Sequence, residues 1–137
     1  MDRMSFSLNR STMIVLLNRT NEELCLDTNS RQPSKGIWTT DMCPPTSILA
    51  GESGLWQSKS SKLGRGTVGF VAYRIAGDPN QQVVVTSWQN PFFGYNTYQG
   101  SVAQEEFEVQ VHGGSGTHAI GVFVLRMWPI PRSAFRS

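Results

Sequence analysis

Glu106-Phe107-Glu108-Val109-Gln110-Val111 and, past Gly113-Gly114-Ser115-Gly116, Ala119-Ile120-Gly121-Val122-Phe123-Val124-Leu125 are the stretches that decide the fold. The first alternates apolar and polar residues without a break, the period of a strand with one dry and one wet face. The second is apolar on both faces and rich in β-branched residues, which predicts a strand flanked on both sides within a sheet. Four residues of Gly and Ser between them form a hairpin connection.

Working outward, the same short-period pattern recurs. Strands are expected over about 12–18, 23–28, 37–39, 54–60, 67–75, 81–88, 96–103, 105–112 and 118–127, with a further extended piece at 47–50 after Cys43-Pro44-Pro45. Gly, Pro, Asn and Asp punctuate the gaps, and few windows could hold three helical turns. Thr20-x-x-Glu23 matches a helix capping box. Only a few apolar residues follow it, so a hairpin across Asn18-Arg19-Thr20-Asn21 is preferred. About nine short strands at these spacings predict an all-β chain, a single antiparallel β-sandwich spanning 1–137. Residues 1–11 form a polar arm and 128–137 an extended strap in this reading.

Composition agrees. Of 137 residues, 39% are hydrophobic and only 16% charged, against about 25% charged in an average domain. A formal net charge of +2 is too small for the field that nucleic-acid binding requires. No stretch is long and apolar enough for a transmembrane helix, and Met13-Ile14-Val15-Leu16-Leu17 is too short for a signal-peptide core. The expectation is therefore a protein held in the cytoplasm, in an intracellular inclusion, or released without a secretory signal. Asn9 and Asn18 head glycosylation sequons, read as chance matches in that setting. Cys25 and Cys43 are open to three readings: reduced thiols, an internal disulfide, or intermolecular links.

Catalytic and metal chemistry find no motif. His112 and His118 flank the glycine loop without a third ligand at matching spacing. Glu106 and Glu108 share a solvated strand face and lack the partner carboxylate of a glycosidase. Gly64-Arg65-Gly66 has neither the lysine nor the strand-to-helix setting of a phosphate loop. No catalytic residue, cofactor or metal is expected.

The most unusual stretch is Trp88-Gln89-Asn90-Pro91-Phe92-Phe93-Gly94-Tyr95-Asn96-Thr97-Tyr98. So many aromatics within one turn-rich segment cannot all enter a sandwich core. Rings on a loop tip suit a lipid–water boundary or a binding groove. The competing reading has Trp88 and Phe92 plug the end of the sandwich.

Gly66-Thr67-Val68-Gly69-Phe70, the acidic turn at Asp78, and Trp88-x-x-Pro91 followed by Phe92, Gly94 and Asn96 resemble the aegerolysins. Gly36-Ile37-Trp38, Pro44-Pro45, Ile48, Ala50-Gly51 and Gly54-x-Trp56 are similar to their bacterial crystal-protein relatives. The resemblance runs from about Met13 to Leu125. It implies an actinoporin-like β-sandwich without enzyme activity that binds membrane lipid. Some members act with a larger pore-forming partner protein, and others accumulate as crystals. Gln89 and Asn90 depart from the acidic residue and cysteine of the family.

Three functions follow as expectations. The first is a lipid-binding, cytolysin-like module using Trp88, Phe92, Phe93, Tyr95 and Tyr98, with Lys59, Lys62 and Arg65 as nearby cations. The second is self-assembly into a homo-oligomer or crystal lattice, with Cys25 and Cys43 as linking disulfide candidates. The third is a lectin-like site with Asn90 and Asn96 as polar partners.

Overall fold

The structure, a computed structural model, describes residues 10–28, 30, 32–77, 83–103 and 106–127. Ten strands follow in chain order: β1 (Ser11–Arg19), β2 (Leu24–Leu26), β3 (Ile37–Trp38), β4 (Ser47–Ile48), β5 (Ser53–Lys59), β6 (Thr67–Ile75), β7 (Val83–Asn90), β8 (Thr97–Val102), β9 (Phe107–Gly113) and β10 (His118–Met127). They build two five-stranded sheets, ordered β3-β5-β1-β10-β9 and β4-β2-β6-β7-β8. The all-β sandwich expected from periodicity is the architecture found. Ser47–Ile48 forms a strand beyond the nine expected.

Alternation sets the core. In β1 the even residues Thr12, Ile14, Leu16 and Asn18 are buried, and in β10 the odd residues Ala119, Gly121, Phe123 and Leu125 are. Facing them from the second sheet are Leu24, Val71, Tyr73, Val84 and Trp88. Trp56 and Tyr73 meet between the sheets with ring centroids 5.9 Å apart. Burial raises the Tyr73 phenol far above its ordinary pKa, and its hydroxyl donates to the Pro45 carbonyl at 2.6 Å. Each large side chain removed from water here contributes about 1.5–3 kcal/mol.

Two expectations need correction. The sandwich is not wholly antiparallel, because β1 and β10 pair in parallel, Leu16 opposite Phe123. No turn joins them, so no hairpin geometry imposes a direction, and the register is the one that turns both dry faces inward. Nor do β1 and β2 form a hairpin. β2 lies in the other sheet, against β4 and β6. The turn chemistry at 18–22 goes into crossing between sheets. Asn18 Nδ2 donates to the carbonyls of Glu22 (2.8 Å) and Leu49 (3.1 Å). Thr20 Oγ1 donates to Asn18 Oδ1 (2.7 Å) and accepts from the Glu22 amide (3.1 Å). Asn18 is 1% exposed, which removes it as a glycosylation acceptor. The arm over 1–9 and the strap over 128–137 lie outside the described residues.

β10 has a neighbour on each side, as its apolar sequence predicts, yet its outer face is not dry. Ile120, Val122 and Val124 point outward beside Met13, Val15 and Leu17 of β1 and Leu55 of β5. Ile120 and Leu55 are exposed.

Tyr98 closes the sandwich where β8 runs beside β9. Its ring lies across Gly113 and Gly121, where a Cβ on Gly121 would come within 2.7 Å of ring carbons. Gly121→Val should therefore cost about 1–3 kcal/mol by overpacking. Urea unfolding checks this: the midpoint should fall with the slope unchanged, and an unaltered midpoint would show that the ring has free room to shift.

Candidate functional site

Strand β7 carries its alternation further than a reading that ends it at Trp88. Val84, Thr86, Trp88 and Asn90 are all buried. Trp88 is 1% exposed, covers Gly69 and sits 5.9 Å from the Trp38 ring. It is a core residue, which corrects its expected place on a lipid-facing loop. Asn90 ends the strand with its amide between the sheets. Its Nδ2 donates to the Ser11 carbonyl (3.0 Å) and the Thr117 carbonyl (3.1 Å). This joins the end of β7 to the starts of β1 and β10.

Pro91 then takes the chain out of the ladder, having no amide hydrogen to give. Phe92 is half-buried, with the Arg10 guanidinium 5.6 Å above its ring. Arg10 Nη2 also donates to the Phe92 carbonyl at 2.6 Å. Phe93 packs edge-on against Phe92 at 4.7 Å but is 84% exposed, and Tyr95 is 92% exposed. Gly94 between them has φ 104°, a left-handed conformation that other residues avoid. Asn96 Nδ2 donates to the Gly116 carbonyl at 2.8 Å, which moors the loop to the glycine connection before β10. Tyr98 is half-buried, and its hydroxyl donates to the Gly114 carbonyl (2.8 Å). Burial raises its pKa, opposed in part by the Asn96 side chain. Of the expected aromatic surface, Phe93 and Tyr95 are presented to solvent, Phe92 packs against Phe93, Tyr98 lies across Gly113 and Gly121, and Trp88 is buried.

The basic loop at 61–66 shares this end of the molecule. Gly66 permits the approach: a Cβ there would collide with the Asn90 carbonyl and lie 2.7 Å from Pro91 Cα. Between the two loops is an open cavity of about 510 Å³ lined by Lys35, Lys62, Arg65, Pro91 and Phe92, among others. Lys62 and Arg65 line this cavity beside the aromatic loop. Lys59 stands at the end of β5 opposite Ser11 and Ile37 and does not line the cavity. Lys35 and Arg10 complete the cationic surroundings and were not singled out by sequence. Lys35 arrives through a bridge to Val68, with backbone hydrogen bonds of 2.9 and 3.0 Å, for which no local signal exists.

Other candidates separate. Cys25 is half-buried and Cys43 exposed, and both are free thiols, so the internal disulfide is not formed. His112 pairs with Val122 across the β9–β10 ladder, whereas His118 Nδ1 contacts Ser11 Oγ at 2.8 Å. Glu108 pairs with Arg126. Among the described residues no group of three or more His, Cys, Asp or Glu could hold a metal ion.

Fold and site together define a β-sandwich that carries exposed aromatics and cations at one end. Among solved structures the chain is similar to the lipid binding protein Nakanori, with TM-score 0.74 and 13% identity over 85% of this chain and 71% of that one. It is also similar to the RahU protein, solved in complex with a TRIS molecule, with TM-score 0.65 and 16% identity over 91% of this chain and 98% of that one. At these identities the likeness is one of fold. No family model matches the chain, and no curated protein matches it. The resemblance to aegerolysins is supported at the level of a sandwich shared with a lipid binding protein.

Asn90 is the residue on which this end depends. Asn90→Ala leaves the Ser11 and Thr117 carbonyls without that donor and should cost about 1–3 kcal/mol. Gln89→Ala, one residue earlier and exposed, should stay within about 0.5 kcal/mol. Thermal unfolding of both variants checks the contrast, and equal shifts would contradict the bridging role.

Proposed function

We propose that this chain docks on lipid bilayers through the loop 91–96, with Phe93 and Tyr95 entering the interface and Phe92 packed behind Phe93. The observation that carries this reading is the exposure of Phe93 (84%) and Tyr95 (92%) on a loop moored at both ends. A floppy tip would bury such rings at some cost to the core. This one is tied by Arg10 at Phe92 and by Asn96 at Gly116, which favours the outward placement of its rings. Aromatic side chains at the headgroup level bury an apolar body and keep a polar edge wet. The fold it shares with a lipid binding protein supports the same reading. Among the described residues no helix is long and apolar enough to cross a membrane, and docking from one face needs none.

A second reading, self-association, is favoured by the apolar outer face of β1 and β10, where Ile120 is 52% exposed. The two readings separate in one assay. Sedimentation with vesicles of phosphatidylcholine, phosphatidylserine and sphingolipid should bring the chain down, whereas pelleting without vesicles would favour self-association. Phe93→Ser with Tyr95→Ser removes two rings, each worth about 1.5–3 kcal/mol when buried. Vesicle affinity should fall at least about 100-fold while the unfolding midpoint barely moves. Failure of the native chain to bind any of these vesicles would overturn the docking reading.

A further inference from the structure

Charge is unevenly placed along this molecule although its net value is small: the loops at the aromatic end carry cations alone, whereas the other end carries both signs. Arg10, Lys35, Lys59, Lys62 and Arg65 all belong to the aromatic end, where β5 stops and β6 starts. The loops 61–66, 91–96 and 113–117 contain no Asp or Glu. Glu22, Glu23 and Glu52 lie at the opposite end, where β1 stops, mixed there with Arg19 and Arg74, and Glu106 and Glu108 lie where β9 starts, Glu108 paired with Arg126. The field at the aromatic end is therefore positive at close range, even though the net charge predicts little at long range.

The cavity beside the loop concentrates that charge. Its walls are of two kinds. Lys35, Lys62 and Arg65 supply cations and Ser34 and Ser61 supply hydroxyls, while Pro91 and Phe92 supply an apolar side. Among the described residues no carboxylate lines it. A guanidinium can hold two oxygens of a phosphate in one plane, and lysine ammoniums add point charges. A zwitterionic headgroup would carry its own ammonium into a site of like charge with no anion to receive it. Phe92 forms part of the wall and also touches Phe93, so a headgroup here would sit next to the rings that enter the bilayer.

We propose that this cavity binds the phosphate of an anionic lipid headgroup, with Lys35, Lys62 and Arg65 as its cations. This deepens the docking reading and rests on it. The selectivity expected is for an exposed phosphomonoester over a phosphodiester, and for either anionic lipid over a zwitterionic one.

The test compares vesicles of phosphatidylcholine alone with vesicles carrying phosphatidylserine or phosphatidic acid at matched surface charge. Binding should be strongest with phosphatidic acid and weakest with phosphatidylcholine, and should weaken as salt is raised. Soluble glycerol phosphate should compete and should shift the amide resonances of 61–66, which separates phosphate chemistry from general attraction to a charged surface. Lys62→Gln with Arg65→Gln should lower affinity for phosphatidic acid vesicles by about 20- to 30-fold, or roughly fivefold per cation. It should leave the weak phosphatidylcholine binding unchanged. Equal binding to all vesicles, or a preference that survives the double substitution, would overturn the headgroup site while leaving membrane docking intact. Glycerol phosphate shifts without binding to any vesicle would retain the phosphate site and overturn docking. Absence of both would overturn the two together.

Discussion

The side-chain amide of Asn90 is the interaction on which the functional end of this molecule depends. A sandwich is held along its length by apolar contact between sheets, which is strong but not directional. At its open ends the backbone must turn, and unpaired carbonyls there have to be satisfied. Asn90 reaches across from the second sheet to donate to the Ser11 and Thr117 carbonyls, the latter also accepting from the Ser11 amide, where β1 and β10 of the first sheet begin. With that junction closed, the chain leaves at Pro91 in a defined direction and Gly66 can pass beneath it. The basic loop and the aromatic loop become neighbours for this reason. Asn18 has the corresponding task at the other end, tying Glu22 and Leu49 together.

The two ends then diverge in chemistry. Around Asn18 the exposed groups are of both signs, with Glu23 and Glu52 beside Arg19 and Arg74. Around Asn90 they are cationic and aromatic, with rings that the moored loop holds away from the core. The docking proposed above would orient this end toward an anionic apolar boundary. In that proposal the cations select the end that approaches, and the rings supply the apolar area that holds it there. Surface cations contribute mainly to encounter and orientation, so the rings carry most of the affinity in this account.

Much of the sandwich was legible in the sequence because strand parity is a local signal. The strands at 67–75 and 118–127 coincide with β6 and β10. What could not be read is long-range. The parallel pairing of β1 with β10 joins residues more than a hundred positions apart, and no turn announces it. The turn at Asn18 and Thr20 looked like a hairpin because its side chains bond locally, as they do in hairpins, but here they steer the chain into the other sheet. Trp88 is legible from parity, since Val84, Thr86 and Trp88 share one face, which favours the reading that places the indole inside. Phe93 and Tyr95 were read as surface rings from their turn residues. Lys35 and Arg10 join the site only through contacts with Val68 and Phe92, far away in the chain.

The central claim is that the end bearing Phe93 and Tyr95, and not the end bearing Glu52, meets the membrane. A single environment-sensitive fluorophore tests it directly, placed by Phe93→Cys or by Glu52→Cys in a chain whose two native cysteines are serine. On adding anionic vesicles, the probe at 93 should shift to the blue and become shielded from aqueous quenchers, while the probe at 52 should keep its emission and its quenching. A shift at 52, or shifts of equal size at both positions, would contradict the account.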